Sequence, residues 1–122
     1  MRALEHPEIV DVPLERILHA LADPVRVRIF AEIAQQNCAQ SCSAFVNVIE
    51  KPIPKSTLSQ HFKVLREAGL IRSERRGVEL LNTARCADVE ERFPGLIRAI
   101  VSALAIQLEA QKAAAKKASR KS

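Results

Sequence analysis

Between the helix-breaking residues Pro52 and Pro54 and a lone Gly69 lies a stretch with one regular way to fold. Leu58, Phe62 and Leu65 recur four and three positions apart, so a helix from about Lys55 to Ala68 gathers them on one face. Gly69 stands where such a helix leaves through a left-handed residue. The opposite face then carries Thr57, Gln60, His61 and Lys63, a set of hydroxyl, amide, imidazole and ammonium groups. A helix divided this way needs a core beneath it and something polar above it.

The rest of the chain can supply that core. At 122 residues with 48% hydrophobic side chains, the length suits one domain, and 3% aromatic content without Trp or Tyr favours helices over a β-sandwich. Leu14, Ile17, Leu18 and Leu21 follow helical spacing behind Pro13, giving a first helix. Asp23 before Pro24 is an N-cap signature and opens a second, through Val27, Ile29, Phe30 and Ile33 to about Gln36. A short third helix is expected near Ser41 to Ile49, and the run from Lys55 is the fourth. Leu70 to Glu74 and Val78 to Leu81 read as two strands around Arg75, Arg76 and Gly77. A fifth helix begins near Ala87, is disturbed at Pro94 and Gly95, and resumes with a stripe from Leu96 to Leu108 that needs a partner. Residues 1–12 read as a flexible lead, 13–108 as the folded domain, and 109–122 as a basic Ala/Lys tail that frays as a helix extension or stays disordered.

The expected fold is therefore mainly α, with five helices and a small β-hairpin: a winged helix-turn-helix. No apolar run approaches the ~20 residues needed to cross a bilayer, and the amino terminus lacks the pattern of a secretory signal, so a cytoplasmic protein without a membrane partner is expected. Enzyme chemistry finds no footing: no nucleophile paired with a base, no carboxylate pair and no glycine-rich phosphate loop is visible.

Charge is unevenly spread. Residues 1–50 hold four basic and seven acidic side chains, residues 51–76 seven and two, and residues 77–109 three and five, so these segments balance. The tail adds Lys112, Lys116, Lys117, Arg120 and Lys121 without an acid and so accounts for the net charge of +5. The middle segment is the local basic patch, and a positive surface of this kind attracts polyanions, nucleic acid foremost. In a major groove Gln60 can pair with adenine and Ser59 or His61 can donate to base edges. Lys55, Ser56, Thr57 and Lys63 can meet flanking phosphates, and Arg72, Arg75 and Arg76 can carry the contact onto the hairpin.

The runs Leu21-Ala-Asp-Pro-Val-Arg-Val-Arg-Ile-Phe30 and Lys55-Ser-Thr-Leu-Ser-Gln-His-Phe-Lys-Val-Leu-Arg-Glu-Ala-Gly-Leu-Ile71 resemble the ArsR/SmtB family of winged-helix repressors. The resemblance spans roughly residues 14–108, and the Ser59-Gln60-His61 step is its most specific part. It implies a homodimer through the first and last helices, binding to a palindromic double-stranded operator, release by an inducer, and a bracing role for Arg26 and Arg28. Zinc-sensing members use Asp and His on the last helix, but this chain has no His after His61. Arsenic-sensing members carry a Cys-x-Cys pair, whereas Cys38 and Cys42 are more widely spaced.

Three cysteines leave three readings open. On a helix Cys38 and Cys42 would share a face and could hold a soft ion as thiolates, with Cys86 as third sulfur for As(III) or Sb(III). They could instead form a thiol redox or persulfide switch, or be buried apolar side chains with no cofactor at all. A winged-helix module that binds protein rather than DNA is the alternative from a different class, although such modules tend to lose the basic hairpin kept here. His19 reads as a rim residue of the first helix, and His6 falls in the unstructured lead.

Overall fold

The computed structural model describes residues 4–35, 40–41 and 53–120. Its helices are α1 (Leu14–Leu21), α2 (Pro24–Gln35), α3 (Lys55–Glu67), α4 (Cys86–Arg92) and α5 (Leu96–Arg120). The strands are β1 (Gln40–Ser41), β2 (Ile71–Arg76) and β3 (Glu79–Ala84), arranged β1-β3-β2 with both pairings antiparallel.

The core forms where helical faces meet the base of the sheet. Ile17 and Ala20 of α1, Ile29 and Phe30 of α2, Phe62 and Leu65 of α3, and Leu70 and Ile71 leading into β2 are all fully buried or nearly so. Burial of a side chain the size of Phe62 or Leu65 stabilises by about 1.5–3 kcal/mol, so α3 is held chiefly through this seam. Its end is closed by backbone geometry. Gly69 has φ +73°, the Leu70 amide donates to the Leu65 carbonyl at 3.1 Å, and the Gly69 amide donates to Arg66 at 3.0 Å, which together make a Schellman motif. The chain is thereby turned from α3 straight into β2.

The hairpin is longer and tighter than its sequence suggests. Arg75 and Arg76 lie within β2, Arg76 faces Glu79, and the connection is only Gly77 and Val78. Gly77 has φ +63° while Val78 does not take a positive φ, the pattern of a type II′ turn. Inside the hairpin the Ser73 hydroxyl donates to Asn82 Oδ1 at 2.6 Å, both residues being buried. A one-residue slip would separate this pair and leave polar groups unsatisfied, so it pins the register.

Two expectations are corrected. Gln40 and Ser41 pair with Asn82 and Leu81 as a strand, so the third helix expected near Ser41 does not begin there, and the remainder of that stretch lies outside the described residues. The last helix is not one disturbed rod. It breaks into α4 and α5, bent by 115°, because Pro94 has no N–H to donate and Gly95 takes φ +83°. The Gly95 amide is recovered by the Glu90 carboxylate at 3.0 Å. Beyond Leu108 the chain stays helical to Arg120, since Ala, Lys and Gln are strong helix formers and no breaker intervenes. Among the described residues no single helix is long and apolar enough to cross a membrane.

The lead segment also departs from expectation. From Leu4 onward it lies on the domain instead of remaining flexible. His6 Nε2 accepts from the Ser73 amide at 2.9 Å, Arg85 Nη1 donates to the Pro7 carbonyl at 2.9 Å, and Arg92 donates to the Ile9 carbonyl. After a single turn at Ile9–Asp11, Val12 is fully buried. These partners lie 67 to 83 positions away, beyond the reach of any local pattern.

Ile9 Cδ1 and Val12 Cγ2 would both stand 3.1 Å from a Cβ placed on Gly69. Gly69→Ala should therefore combine backbone strain with a clash and lower the unfolding free energy by roughly 1–3 kcal/mol in urea titrations. Gly77→Ala has a similar backbone strain but nothing within 4 Å of its Cβ, so its loss should be smaller.

Candidate nucleic-acid interface

Helix α3 starts directly after Pro54, whose ring offers no side-chain cap, and the Pro54 carbonyl accepts from the Leu58 amide at 2.9 Å. The first-turn amides of Lys55, Ser56 and Thr57 therefore have no intrahelical acceptor and suit an anion such as a phosphate. With Leu58, Phe62 and Leu65 buried, Ser56, Ser59, Gln60 and Lys63 follow i, i+3, i+4, i+7 along the exposed side. Lys55 and Thr57 are exposed beside them.

The inner edge of α3 is braced by one guanidinium. Arg26 donates from Nε to the Ala20 carbonyl at 2.8 Å and from Nη2 to the His19 carbonyl at 3.3 Å, which occupies acceptors at the C-terminal end of α1. Its Nη1 stands 3.4 Å from His61 Nδ1 and 4.0 Å from the Asp23 carboxylate. Asp23 in turn caps α2, accepting from the amides of Val25 at 2.8 Å and Arg26 at 3.0 Å. Burial alone would raise the Asp23 carboxyl, but those amides and the Arg26 charge outweigh it and hold the group below its usual range. Arg26 thus joins three helices, in keeping with the bracing role that the resemblance implies.

His61 is half-buried rather than fully presented. A guanidinium only donates, so Nδ1 must accept from it, and the neutral ring carries its proton on Nε2. Burial, followed by the Arg26 charge, keeps the imidazole below its ordinary pKa despite the opposing pull of Asp23. His61 therefore has one nitrogen committed to the scaffold and one available as a donor.

The hairpin stands beside this face. Ser59, Gln60 and Lys63 share a cleft of about 270 Å³ with Arg75 and Leu80 of the hairpin, Arg66 of α3, and Leu4 of the lead segment. Of the residues singled out in the sequence, these four polar ones are brought together. Arg72 and Arg76 are exposed on β2 outside the cleft, with Arg76 3.5 Å from Glu74. Lys55, Ser56 and Thr57 are at the far, N-terminal end of α3. Arg66 and Leu4 were not anticipated. Arg66 could have been found, since it falls three positions beyond Lys63, but nothing local marks Leu4.

Of the three cysteines only Cys86 lies among the described residues. Cys38 and Cys42 lie outside the described residues, and the strand at Gln40–Ser41 between them is incompatible with the shared helical face expected for the pair. Cys86, the first residue of α4, is half-buried against the core, and burial pushes its thiol above the usual range. A thiol so placed stays protonated at neutral pH, which suits packing better than metal ligation. Among the described residues no group of three His, Cys, Asp or Glu side chains is placed to hold a metal ion.

Helices packed beneath an exposed polar helix, with a basic hairpin alongside, define a winged helix-turn-helix protein. The helix-turn-helix domain family matches residues 21–74. The transcriptional repressor SmtB of Mycobacterium tuberculosis is 37% identical over 75 residues, covering 61% of this chain and 51% of that protein. The chain thus spans about half the length of the curated relative it matches. Two solved structures share the fold: an ArsR-like transcriptional regulator from Rhodococcus sp. RHA1 and the transcriptional repressor BigR from Xylella fastidiosa. The first has TM-score 0.53 and 22% identity, over 85% of this chain and 90% of that one. The second has TM-score 0.56 and 24% identity, over 73% and 83%. Over residues 21–74 the chain is thus similar to helix-turn-helix domains, and its fold is that of ArsR-like winged-helix proteins.

Two imidazoles tie this region to pH. His6 is held below its ordinary value by burial and then by Arg72, Arg85 and Arg66, against a smaller opposing hydrogen bond from the backbone at Leu4. Both His6 and His61 thus favour the neutral form in the folded chain, while the unfolded chain takes up protons near pH 6.5. The stabilisation is fully present above that pH and is lost as pH falls through the lower folded values. Urea denaturation should show a lower unfolding free energy at pH 5 than at pH 7.5, and the double variant H6Q/H61Q should show a flatter profile over that window.

Proposed function

We propose that the chain is a DNA-binding transcriptional repressor that reads a major groove with α3 and braces the contact with its hairpin. The observation that carries this reading is the cleft in which Ser59, Gln60 and Lys63 of α3 meet Arg75 of β2. It places a bidentate amide, a hydroxyl and two cations on one exposed surface, the combination needed for base edges flanked by phosphates. The name carried by the mycobacterial relative, a transcriptional repressor, supports the same reading. A protein-docking module would have no need of Arg75 and Lys63 beside Gln60, and it would tolerate their loss.

The regulator acts as a homodimer. Buried Ile17 and Leu21 face inward on α1, yet Leu14 and Leu18, four residues apart, are 39% and 48% exposed, and Ile106 on α5 is 72% exposed. The exposed Leu14 and Leu18 on the first helix and Ile106 on the last suit burial against the same residues of a second copy. Two copies related by a twofold would present two α3 helices to half-sites about one helical turn apart, hence a palindromic operator. The thiols through which an inducer such as As(III), Sb(III) or an oxidant would act are Cys38 and Cys42, because Cys86 is packed and protonated.

Sedimentation at micromolar concentration should give a dimer, and Leu18→Glu should shift it toward monomer. On DNA from upstream of the chain's own gene, Gln60→Ala should reduce discrimination between operator and arbitrary duplex by about 1–3 kcal/mol in fluorescence anisotropy. The double variant R75A/R76A should weaken binding to all sequences alike and lower the salt slope by about 2 per chain. Loss of Gln60 without effect on any sequence preference would leave the major-groove reading without support.

A further inference from the structure

The second half of α5 has no role in the interface described above. Its last buried residue is Leu104 and Leu108 is half-buried, yet the helix runs on to Arg120, and every residue from Glu109 to Arg120 is exposed. Twelve residues of helix extend about 18 Å. Along this length Lys112, Lys116 and Arg120 stand at i, i+4, i+8 and share one face, with Lys117 at its edge. The cations along the face are about 6 Å apart, far enough to meet separate phosphates. No acid follows Glu109, and Glu109 makes only an exposed pair with Lys112 at 3.9 Å, which contributes little.

We propose that this basic face of α5 is a second, sequence-independent binding surface for the phosphate backbone of duplex DNA, separate from α3 and the hairpin. Helix stabilisation does not account for the arrangement. A cation favours the helix dipole only in the last turn, where Lys117 and Arg120 lie, and Lys112 and Lys116 are too far in. The composition also selects among polyanions. Between the cations stand mainly Ala and Gln, with no aromatic or long aliphatic side chain after Leu108. A protein partner would need anchoring side chains of that kind, and a membrane surface would need an apolar face to bury. A row of charges without anchors fits a dense linear polyanion, where release of counterions drives association. The duplex as partner follows the repressor reading, but the surface itself acts without α3.

The test compares the full chain with the variant K112Q/K116Q/K117Q/R120Q on a labelled duplex of arbitrary sequence, from about 0.05 to 0.2 M salt. Gln is a good helix former, so the helix persists while its charge is removed. The slope of log affinity against log salt should fall by up to about 3.6 per chain, with the ratio of operator to arbitrary affinity unchanged. A second variant, K112R/K116R/K117R, keeps the charge and should keep the slope. An unchanged slope in the glutamine variant, or a lost slope in the arginine variant, would overturn the proposal. So would charge-dependent capture of phosphatidylserine vesicles without any change on DNA. If the wild-type chain binds arbitrary duplex with a tail-dependent slope but prefers no sequence, the reading of α3 fails while the surface on α5 stands.

Discussion

Burial of one seam, Leu58, Phe62 and Leu65, decides what every other part of α3 does. A helix presents one face to a core and the other to solvent, so fixing three apolar side chains inward fixes Ser56, Ser59, Gln60 and Lys63 outward. The remaining architecture serves to hold that seam in place. α1 and α2 supply its floor, the Schellman turn at Gly69 ends it, and the chain passes directly into the strand that carries Arg75. The spacing between the polar face of α3 and the basic hairpin thus follows from a helix cap two residues long.

A polar network reinforces what the apolar seam begins. Arg26 meets the carbonyls that end α1, the carboxylate that starts α2 and the imidazole on α3, so one side chain fixes three helix positions. A lysine there would keep the charge but lose the planar fork that satisfies several acceptors at once. On the opposite side, Arg85 and Arg92 grip backbone carbonyls of the lead segment, and His6 occupies the Ser73 amide on the outer edge of β2. That edge would otherwise present an unpaired donor to another strand, so the lead segment closes the sheet as well as lining the cleft.

The two ends of the chain play unequal parts in the charge of the molecule. The core domain is close to neutral, with its basic patch at residues 51–76 set against acidic flanks, whereas the tail alone gives the chain its net positive charge. A neutral body with a localised basic face directs a polyanion to one side, and a basic arm adds attraction without direction. If both proposed surfaces meet DNA, specificity and nonspecific affinity fall on separate elements.

Local patterns determined most of the elements. The periodicity of α1, α2 and α3, the Asp23 cap, the left-handed Gly69 and the glycine turn of the hairpin are all written within a few residues, and each is found where those residues imply. The exposed face of α3 was legible for the same reason, because the inward face was. What depended on contacts distant in sequence was not legible. Leu4 and His6 join the site through partners on α3 and β2, His61 is drawn toward Arg26 from 35 positions away, and Gln40 and Ser41 become a strand because β3 offers an edge. A repeating pattern reports which face of an element is buried, but only the packed tertiary structure decides which distant group arrives to bury it.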